Sequence, residues 1–112
     1  MTRLNGGTGN STGILSGLFT SITDGNKIVT TAGTRVQLSS SSIPCQKVIV
    51  IAMTNNTNIV TVGGSDVVAA LATRKGVPLY AGDSYDLYVS NLNLVYIDSL
   101  VNGEGVTYIY YN

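Results

Sequence analysis

The sequence contains no histidine and no tryptophan, and it has one cysteine, two prolines and few charged residues. Without histidine, the Ser-His-acid and Cys-His nucleophile systems and most zinc sites are excluded. The single cysteine, Cys45, excludes an intrachain disulfide and has no imidazole to activate its thiol. Asp83 and Asp86 could offer oxygen ligands to calcium, but no loop of regularly spaced Asp and Asn residues accompanies them. We therefore expect no catalytic activity, no cofactor and no bound metal.

Charge is scarce and balanced, which limits the classes of partner. Six basic and six acidic residues cancel, and 11% of the residues are charged, against roughly 25% in ordinary globular domains. The basic residues are scattered, whereas a groove for nucleic acid needs clustered cations. The longest apolar run, Val48–Met53, is far shorter than the ~20 residues of a membrane-spanning helix. A hydrophobic content of 44% argues for folding, so we expect a neutral surface that is buried in an assembly.

The chain divides into an arm, residues 1–25, and a domain, residues 26–112. The arm begins with a Gly-, Asn- and Thr-rich stretch that has no core of its own. The apolar spacing in Ile14–Ile22 suits a short helix, but Gly17 and the Ser/Thr content make a partly extended arm equally compatible. We expect the arm to make assembly contacts, with Phe19 as an anchor into a pocket.

The domain is expected to be all-β, a compact sandwich or barrel of about seven to nine short antiparallel strands. Turn residues at Asp24–Asn26 and an Asn-Gly pair within Asn102–Gly105 predict a turn and a hairpin, respectively. The stretch Gln46–Met53, which contains this apolar run, is apolar on both faces and predicts a central strand. Ser65–Gly76 is ambiguous, because it suits either a short helix or a strand and a loop.

The last strand is apolar on both sides. In an extended chain, Val106, Tyr108 and Tyr110 share one face, and Thr107, Ile109 and Tyr111 share the other. We therefore expect this strand to lie between two packed surfaces, one from its own domain and one from a neighbouring chain. The seven tyrosines remain open to three interpretations: sheet packing, a protein interface or stacking on sugars.

Several stretches of the domain carry a family resemblance. They are "VTTAGTRVQLSSSSIPCQKVIVIA", "NIVTVGGSDV", "GVPLYAGDSYDL" and "LVYIDSLVNGEGVTYIYYN". The patterns V-x-x-A-G-T-x-V-x-L, G-x-x-L-x-x-G-D-S and I-D-x-x-V-N-G-E-G-V within them resemble those of small structural proteins of tailed bacteriophage virions. The resemblance runs from about Val29 to Tyr111 and leaves out the arm.

The resemblance implies a compact β module placed on a capsid, fibre or tail, and among these positions we favour a capsid decoration (cement) protein. Such a protein would sit on the capsid surface after synthesis in the host cytoplasm, bind the major capsid protein or other virion proteins, and form a homo-oligomer, with a trimer favoured. A tail, baseplate or fibre module and a carbohydrate-binding domain are the alternatives. The expected protein-interface residues are Leu4, Ile14, Leu15, Leu18, Phe19, Tyr108, Tyr110 and Tyr111. No contact with nucleic acid or membrane is expected.

Overall fold

β-Strands are the main regular structure in residues 19–112, the part of the chain that the structure, a computed structural model, describes. The strands are β1 (Ile22–Val29), β2 (Val36–Gln37), β3 (Lys47–Ala52), β4 (Val60–Gly63), β5 (Val77–Leu79), β6 (Ser84–Leu87), β7 (Tyr96–Ser99) and β8 (Glu104–Tyr111). Two single turns of 3-10 helix, Leu71–Thr73 and Leu92–Leu94, lie in connections between strands. The expectation of an all-β fold with about seven to nine short strands is confirmed.

The strands form two four-stranded antiparallel sheets. The first sheet has the order β1-β8-β3-β6 and the second sheet has the order β2-β7-β4-β5. Eight strands in this order form a jelly roll, the double-sheet solution of an all-β chain. Among the strands described, only β4 and β5 are neighbours both in the sequence and in a sheet. Nearly all strand pairing is therefore long-range.

The core lies between the two sheets and is built largely from valine, whose branched side chain packs well on a pleated surface. Strand β3 alternates between half-buried outer residues and fully buried inner residues. The inner residues of both sheets include Val48, Val50, Ala52 and Val106 from the first and Val60, Val62, Leu79 and Ile97 from the second. Each such valine or larger side chain stabilises the fold by roughly 1.5–3 kcal/mol relative to exposure.

The expected turn at Asp24–Asn26 is wrong, because these residues lie inside β1. Strand β1 pairs with β8 without interruption, from Ile22 opposite Tyr111 to Val29 opposite Glu104. Turn-forming side chains are tolerated here because long-range pairing with β8 outweighs their local preference. Residues 22–25, which the sequence assigns to the arm, are therefore paired within the first sheet.

The expected hairpin at Asn102–Gly105 is also wrong, although a tight turn does form there. Gly103 has a φ of 84°, but the turn joins β7 of the second sheet to β8 of the first. The Gly103 N–H donates to the Val29 carbonyl at 2.8 Å, and the Asn102 Oδ1 accepts from the Ala32 N–H at 2.7 Å. These bonds hold the turn against the chain that leaves β1 for the second sheet, so the two crossovers lie side by side.

The ambiguous stretch Ser65–Gly76 is a loop that covers the outer face of the second sheet. It contains one 3-10 turn and a single bridge between two of its residues. Val67 and Ala69 of this loop are buried, and the Ala69 N–H donates to the Asp98 carboxylate at 2.9 Å. Thr61 and Asp98, which point away from the core, are buried beneath it. The second sheet is thus covered on both faces by its own chain.

Gly105 provides a test of the β1–β8 pairing. A Cβ at this position would overlap the Lys27 carbonyl oxygen and lie 2.8 Å from the Ile28 Cα. Because both atoms belong to the backbone, β1 and β8 would have to separate. We expect Gly105→Ala to lower the free energy of unfolding by about 3 kcal/mol, measured by urea denaturation followed by tyrosine fluorescence.

Gly64→Ala is the matched control, because a Cβ there meets open space. We expect it to change the free energy of unfolding by about 0.5 kcal/mol or less. Equal effects of the two substitutions would contradict the described pairing.

Thr61 provides a test of the loop that covers the second sheet. Its hydroxyl is buried and has no hydrogen-bond partner among residues 19–112. Because an unpaired buried hydroxyl is destabilising, we expect Thr61→Val to raise the free energy of unfolding by about 1 kcal/mol in the same assay. A decrease would show that the hydroxyl is satisfied beneath the loop.

Candidate functional site: the outer face of the first sheet

Strand β8 has two apolar faces, as the sequence predicts, and it lies in the middle of the first sheet. Its inner side chains are Val106, Tyr108 and Tyr110, and its outer side chains are Thr107, Ile109 and Tyr111. The inner group packs against the core between the sheets. The outer group points away from the core, so β8 presents apolar side chains to the far side of the sheet.

Neighbouring strands extend this apolar surface. Ile109 lies opposite Ile49 of β3, and Tyr111 lies opposite Ile22 of β1. Ile51 lies two residues beyond Ile49 on the same face of β3. We call the surface formed by Ile22, Ile49, Ile51, Ile109 and Tyr111 the outer apolar face. Ile22, at its edge, is 62% exposed.

Phe19 reaches the outer apolar face from the chain that precedes β1. Its ring lies against Tyr111, with the ring centroids 5.3 Å apart and the planes at 46°. The Thr20 and Ser21 N–H groups donate to the Asn112 carbonyl at 2.6 and 2.8 Å. Phe19, the first residue that the structure describes, is therefore fixed beside the end of β8.

The other expected interface residues fall into two groups. Leu4, Ile14, Leu15 and Leu18 lie outside the described residues. Tyr108 and Tyr110 are half-buried on the inner side of β8, with their ring centroids 6.2 Å apart. Desolvation and the nearby Tyr110 raise the pKa of Tyr108. The structure thus separates these two tyrosines from Tyr111 and assigns them to packing at the edge of the core.

Glycine in β1 explains how Tyr108 fits on the inner side. Gly25 lies directly opposite Tyr108, and a Cβ on Gly25 would approach the Tyr108 Cζ and hydroxyl oxygen to 2.6 Å. The aromatic ring therefore occupies the space left by the missing side chain. An Asp-Gly-Asn stretch that suggests a turn in the sequence serves here to admit a tyrosine ring.

A single ion pair occupies one end of the outer apolar face. The Lys47 Nζ lies 3.5 Å from the Asp86 carboxylate and 5.4 and 5.8 Å from the ring centroids of Tyr88 and Tyr111. Partial desolvation lowers the pKa of Lys47, but Tyr88 and Asp86 outweigh it, so this pKa lies above its ordinary value. This ion pair neutralises itself, whereas Asp24, which lies opposite Ile109, adds an acidic side chain with no ion-pair partner among residues 19–112 to the same side of the sheet.

The two sheets differ in how their outer faces are covered. The loop Ser65–Gly76 lies over the second sheet, whereas the elements of residues 19–112 supply no second layer over the first. An antiparallel sheet that faces water normally alternates apolar inner residues with polar outer ones. Here the outer residues Ile49, Ile51 and Ile109 are apolar, as they would be in a sheet that is packed on both faces. This face is therefore the candidate interaction surface.

Sequence reasoning found Tyr111 and Phe19 but missed Ile22, Ile49 and Ile51 as members of the same surface. The apolar character of both sides of Val48–Met53 was visible in the sequence, and it identified a central strand correctly. Which of its two sides shares a surface with Tyr111 depends on the register between β3 and β8. That register joins segments about 60 residues apart in the chain, so no local pattern could have revealed it.

A buried carboxylate organises the connection between β3 and β4. Glu104, at the start of β8, accepts hydrogen bonds from the Thr57 N–H at 2.5 Å, the Thr57 hydroxyl at 2.7 Å and the Asn58 N–H at 3.2 Å. Partial desolvation raises the pKa of the Glu104 carboxyl, but these three bonds outweigh it, so the pKa lies below its ordinary value. The ionised carboxylate fixes the loop in one conformation.

The described part of the chain offers no candidate metal site and no candidate membrane-spanning helix. Residues 19–112 bring together no group of three or more His, Cys, Asp or Glu side chains that could hold a metal ion. No helix in that range has both the length and the apolar character needed to cross a membrane.

Comparisons with models of protein families, with curated proteins and with solved structures gave no match. What the molecule does must therefore be inferred from its surfaces.

Glu104 gives a prediction about pH. We expect Glu104→Gln to lower the free energy of unfolding at neutral pH by about 1–3 kcal/mol, because it weakens three charge-assisted hydrogen bonds. Since the folded-state pKa is depressed, the stabilisation is present above the unfolded-state pKa and is lost as pH falls through the folded-state pKa. Urea denaturation of both proteins at about pH 7 and about pH 3 measures the difference.

Asp66→Asn is the control, because Asp66 is exposed and makes no hydrogen bond with the described residues. It should leave the free energy of unfolding unchanged to within about 0.5 kcal/mol. A difference between wild type and Glu104→Gln that stays constant across the pH range would contradict the proposed role of the charge.

Proposed function

We propose that this chain is a non-catalytic structural subunit of a tailed-phage virion, namely a capsid decoration protein. The observation that carries the proposal is the outer apolar face, in which Ile22 is 62% exposed and the other four side chains are half-buried, whereas a loop covers the second sheet. An apolar surface of this kind marks a protein interaction site in a soluble chain. The sequence has few charged residues and no net charge, so electrostatic repulsion between copies is weak, and this also favours association.

The fold supports this proposal without deciding it. Viral capsid proteins are among the proteins built on jelly rolls, as are lectins and other classes. Because one fold hosts many functions, the assignment rests on the surface and on the resemblance of the domain to phage structural proteins. The absence of histidine from the sequence removes the commonest acid–base catalyst and is consistent with a structural role.

The occupant of the outer apolar face is the N-terminal segment, residues 1–18, of a neighbouring copy. This segment immediately precedes Phe19, whose ring lies on the face against Tyr111. Its last residues before Phe19 include Ile14, Leu15 and Leu18, which are apolar. The segment carries only one charged side chain, Arg3, so its burial against an apolar surface requires little desolvation of charge.

The length of the segment favours exchange between copies. Eighteen residues can extend to about 60 Å, whereas a four-stranded sheet is only about 15–20 Å wide. A segment of this length, when fully extended, exceeds the width of its own sheet. Exchange of the segment around a ring joins copies into a closed oligomer, with a trimer expected.

On a capsid, such an oligomer stabilises the shell by mass action. A protein that binds only the assembled lattice lowers the free energy of the lattice relative to its open or ruptured states. Contacts that are weak individually act together when they are repeated over many sites. This mechanism needs no reactive side chain, which agrees with the composition of the chain.

Self-association of the full chain provides the first test. Light scattering coupled to size-exclusion chromatography should show an oligomer for the wild type. Removal of residues 1–18 should give monomers, because the face loses its occupant. Ile22→Lys should weaken association at least tenfold, because it places a charge at the edge of the outer apolar face.

Leu71→Lys is the matched control, because Leu71 is 79% exposed and lies in the loop over the second sheet. It should leave the oligomer intact. A wild type that remains monomeric at high concentration, or an oligomer that survives removal of residues 1–18, would overturn the segment-exchange model.

Copy number provides the test of the virion assignment. Particles purified from cells that produce this chain can be analysed by quantitative mass spectrometry. Hundreds of copies per particle would support capsid decoration. A few copies in multiples of three or six would instead identify a tail, baseplate or fibre module. Absence of the chain from the particles would refute a place in the virion.

A further inference from the structure

Two loops at one end of the sandwich enclose a shallow cleft. One wall is the connection between β3 and β4, and the other is the turn between β5 and β6. The lining residues are Asn56, Thr57, Asn58, Tyr80 and Ala81, and the volume is about 230 Å³. None of these residues belongs to the outer apolar face. The cleft is thus a second candidate site, separate from the assembly surface.

The first wall is held rigid by β8. Glu104 accepts three hydrogen bonds from Thr57 and Asn58. Asn56 is fixed through both ends of its amide, because its Nδ2 donates to the Gly105 carbonyl at 2.9 Å and its Oδ1 accepts from the Gly105 N–H at 3.3 Å. A loop fixed in this way loses little conformational entropy when a ligand binds.

The second wall is a tight turn that fixes Tyr80. The Tyr80 N–H donates to the Asp83 carboxylate at 3.1 Å, and the Asp83 N–H donates to the Tyr80 carbonyl at 2.8 Å. Gly82, with a φ of 85°, donates its N–H to the Ala52 carbonyl at 2.9 Å. The backbone of Tyr80 is therefore held in place, while its side chain is 68% exposed beside the cleft.

The polar groups of the cleft are uncharged and partly unused. The Asn58 Oδ1 accepts from the Ile59 N–H at 2.8 Å, but the Asn58 Nδ2 has no partner within the described part of the chain. The Thr57 hydroxyl donates its proton to Glu104 and retains the capacity to accept. The cleft therefore offers one aromatic ring, one amide donor and one hydroxyl acceptor, and no charged side chain lines it.

We infer that this cleft binds one sugar residue of a neutral glycan. A pyranose ring combines an apolar C–H face, which stacks on an aromatic ring, with hydroxyl groups at its rim that donate and accept hydrogen bonds. Tyr80 supplies the stacking surface, the Asn58 amide donates to a hydroxyl oxygen, and Thr57 accepts from a hydroxyl group. An anionic sugar is disfavoured because the cleft contains no cation.

The size of the cleft supports a single sugar ring. Pockets for drug-sized ligands have volumes of roughly 300–1,000 Å³, and this cleft is smaller. Its open form suits one residue of a longer chain that continues into solvent. A single site of this kind binds weakly, and useful affinity then comes from several copies acting together. The inference stands without the virion assignment, because any multivalent display of the chain would use it in the same way.

Binding to glycans provides the test. The full chain, multimerised through a tag, is applied to an array of neutral and anionic glycans, and the methyl glycoside of the best neutral hit is then titrated into isotope-labelled protein. We expect amide shifts at Thr57, Asn58, Tyr80 and Ala81. Tyr80→Ala should weaken binding about tenfold or more. Asn58→Asp keeps the bond to Ile59 but removes the amide donor, so it should also weaken binding.

Tyr88→Ala is the matched control, because Tyr88 is 72% exposed but lies beside Lys47 on the first sheet. It should leave the affinity unchanged. The inference is overturned if the array shows no neutral glycan above background, if the shifts map away from the cleft, or if Tyr88→Ala weakens binding while Tyr80→Ala does not. Urea denaturation of each variant separates loss of the site from loss of the fold.

Discussion

The insertion of β8 between β1 and β3 is the interaction on which the rest of the structure depends. Strand β8 pairs along its length with β1 on one side and with β3 on the other. This register directs Val106 into the core and Ile109 to the outer side of the sheet. It also brings Glu104 beneath the connection between β3 and β4. The core, the outer apolar face and one wall of the cleft all follow from the same pairing.

Two buried carboxylates hold connections between the strands in place by accepting hydrogen bonds from backbone N–H groups. Asp98 accepts from the Ala69 and Gly33 N–H groups and so ties the covering loop and the β1–β2 connection to β7. Glu104 does the same for the connection between β3 and β4. Each carboxylate thus accepts hydrogen bonds from backbone N–H groups of more than one segment or residue. With six acids in the chain, this use of two as internal anchors leaves four acids and the six basic residues elsewhere in the chain.

Local patterns predicted the strands well and their connections poorly. The two apolar sides of β8 were readable from Val106 to Tyr111, because side-chain direction in a strand depends only on its period of two. The Asn102–Gly103 turn was also readable, but local chemistry could not reveal that it joins different sheets. The prediction of a turn at Asp24–Asn26 was wrong because Gly25 has a different role. It lies opposite Tyr108, which is distant in the chain and whose ring occupies the space that a side chain on Gly25 would need. The outer apolar face and the cleft could not be predicted from local patterns either, because each forms where segments far apart in the chain pair in a particular register.

The composition of β1 suggests why copies would associate through a face and not through an edge. Strand β1 lies at the edge of the first sheet, where unpaired backbone groups invite pairing with another chain. Its middle residues include Asp24, Asn26 and Lys27, and charged residues on an edge strand oppose such pairing. Edge-to-edge pairing can repeat without closing and lead to fibres, whereas exchange of a segment over a face can close into a ring. Under the proposed function, the charges on β1 therefore favour association by exchange of a segment, which can close into a ring, over pairing of sheet edges.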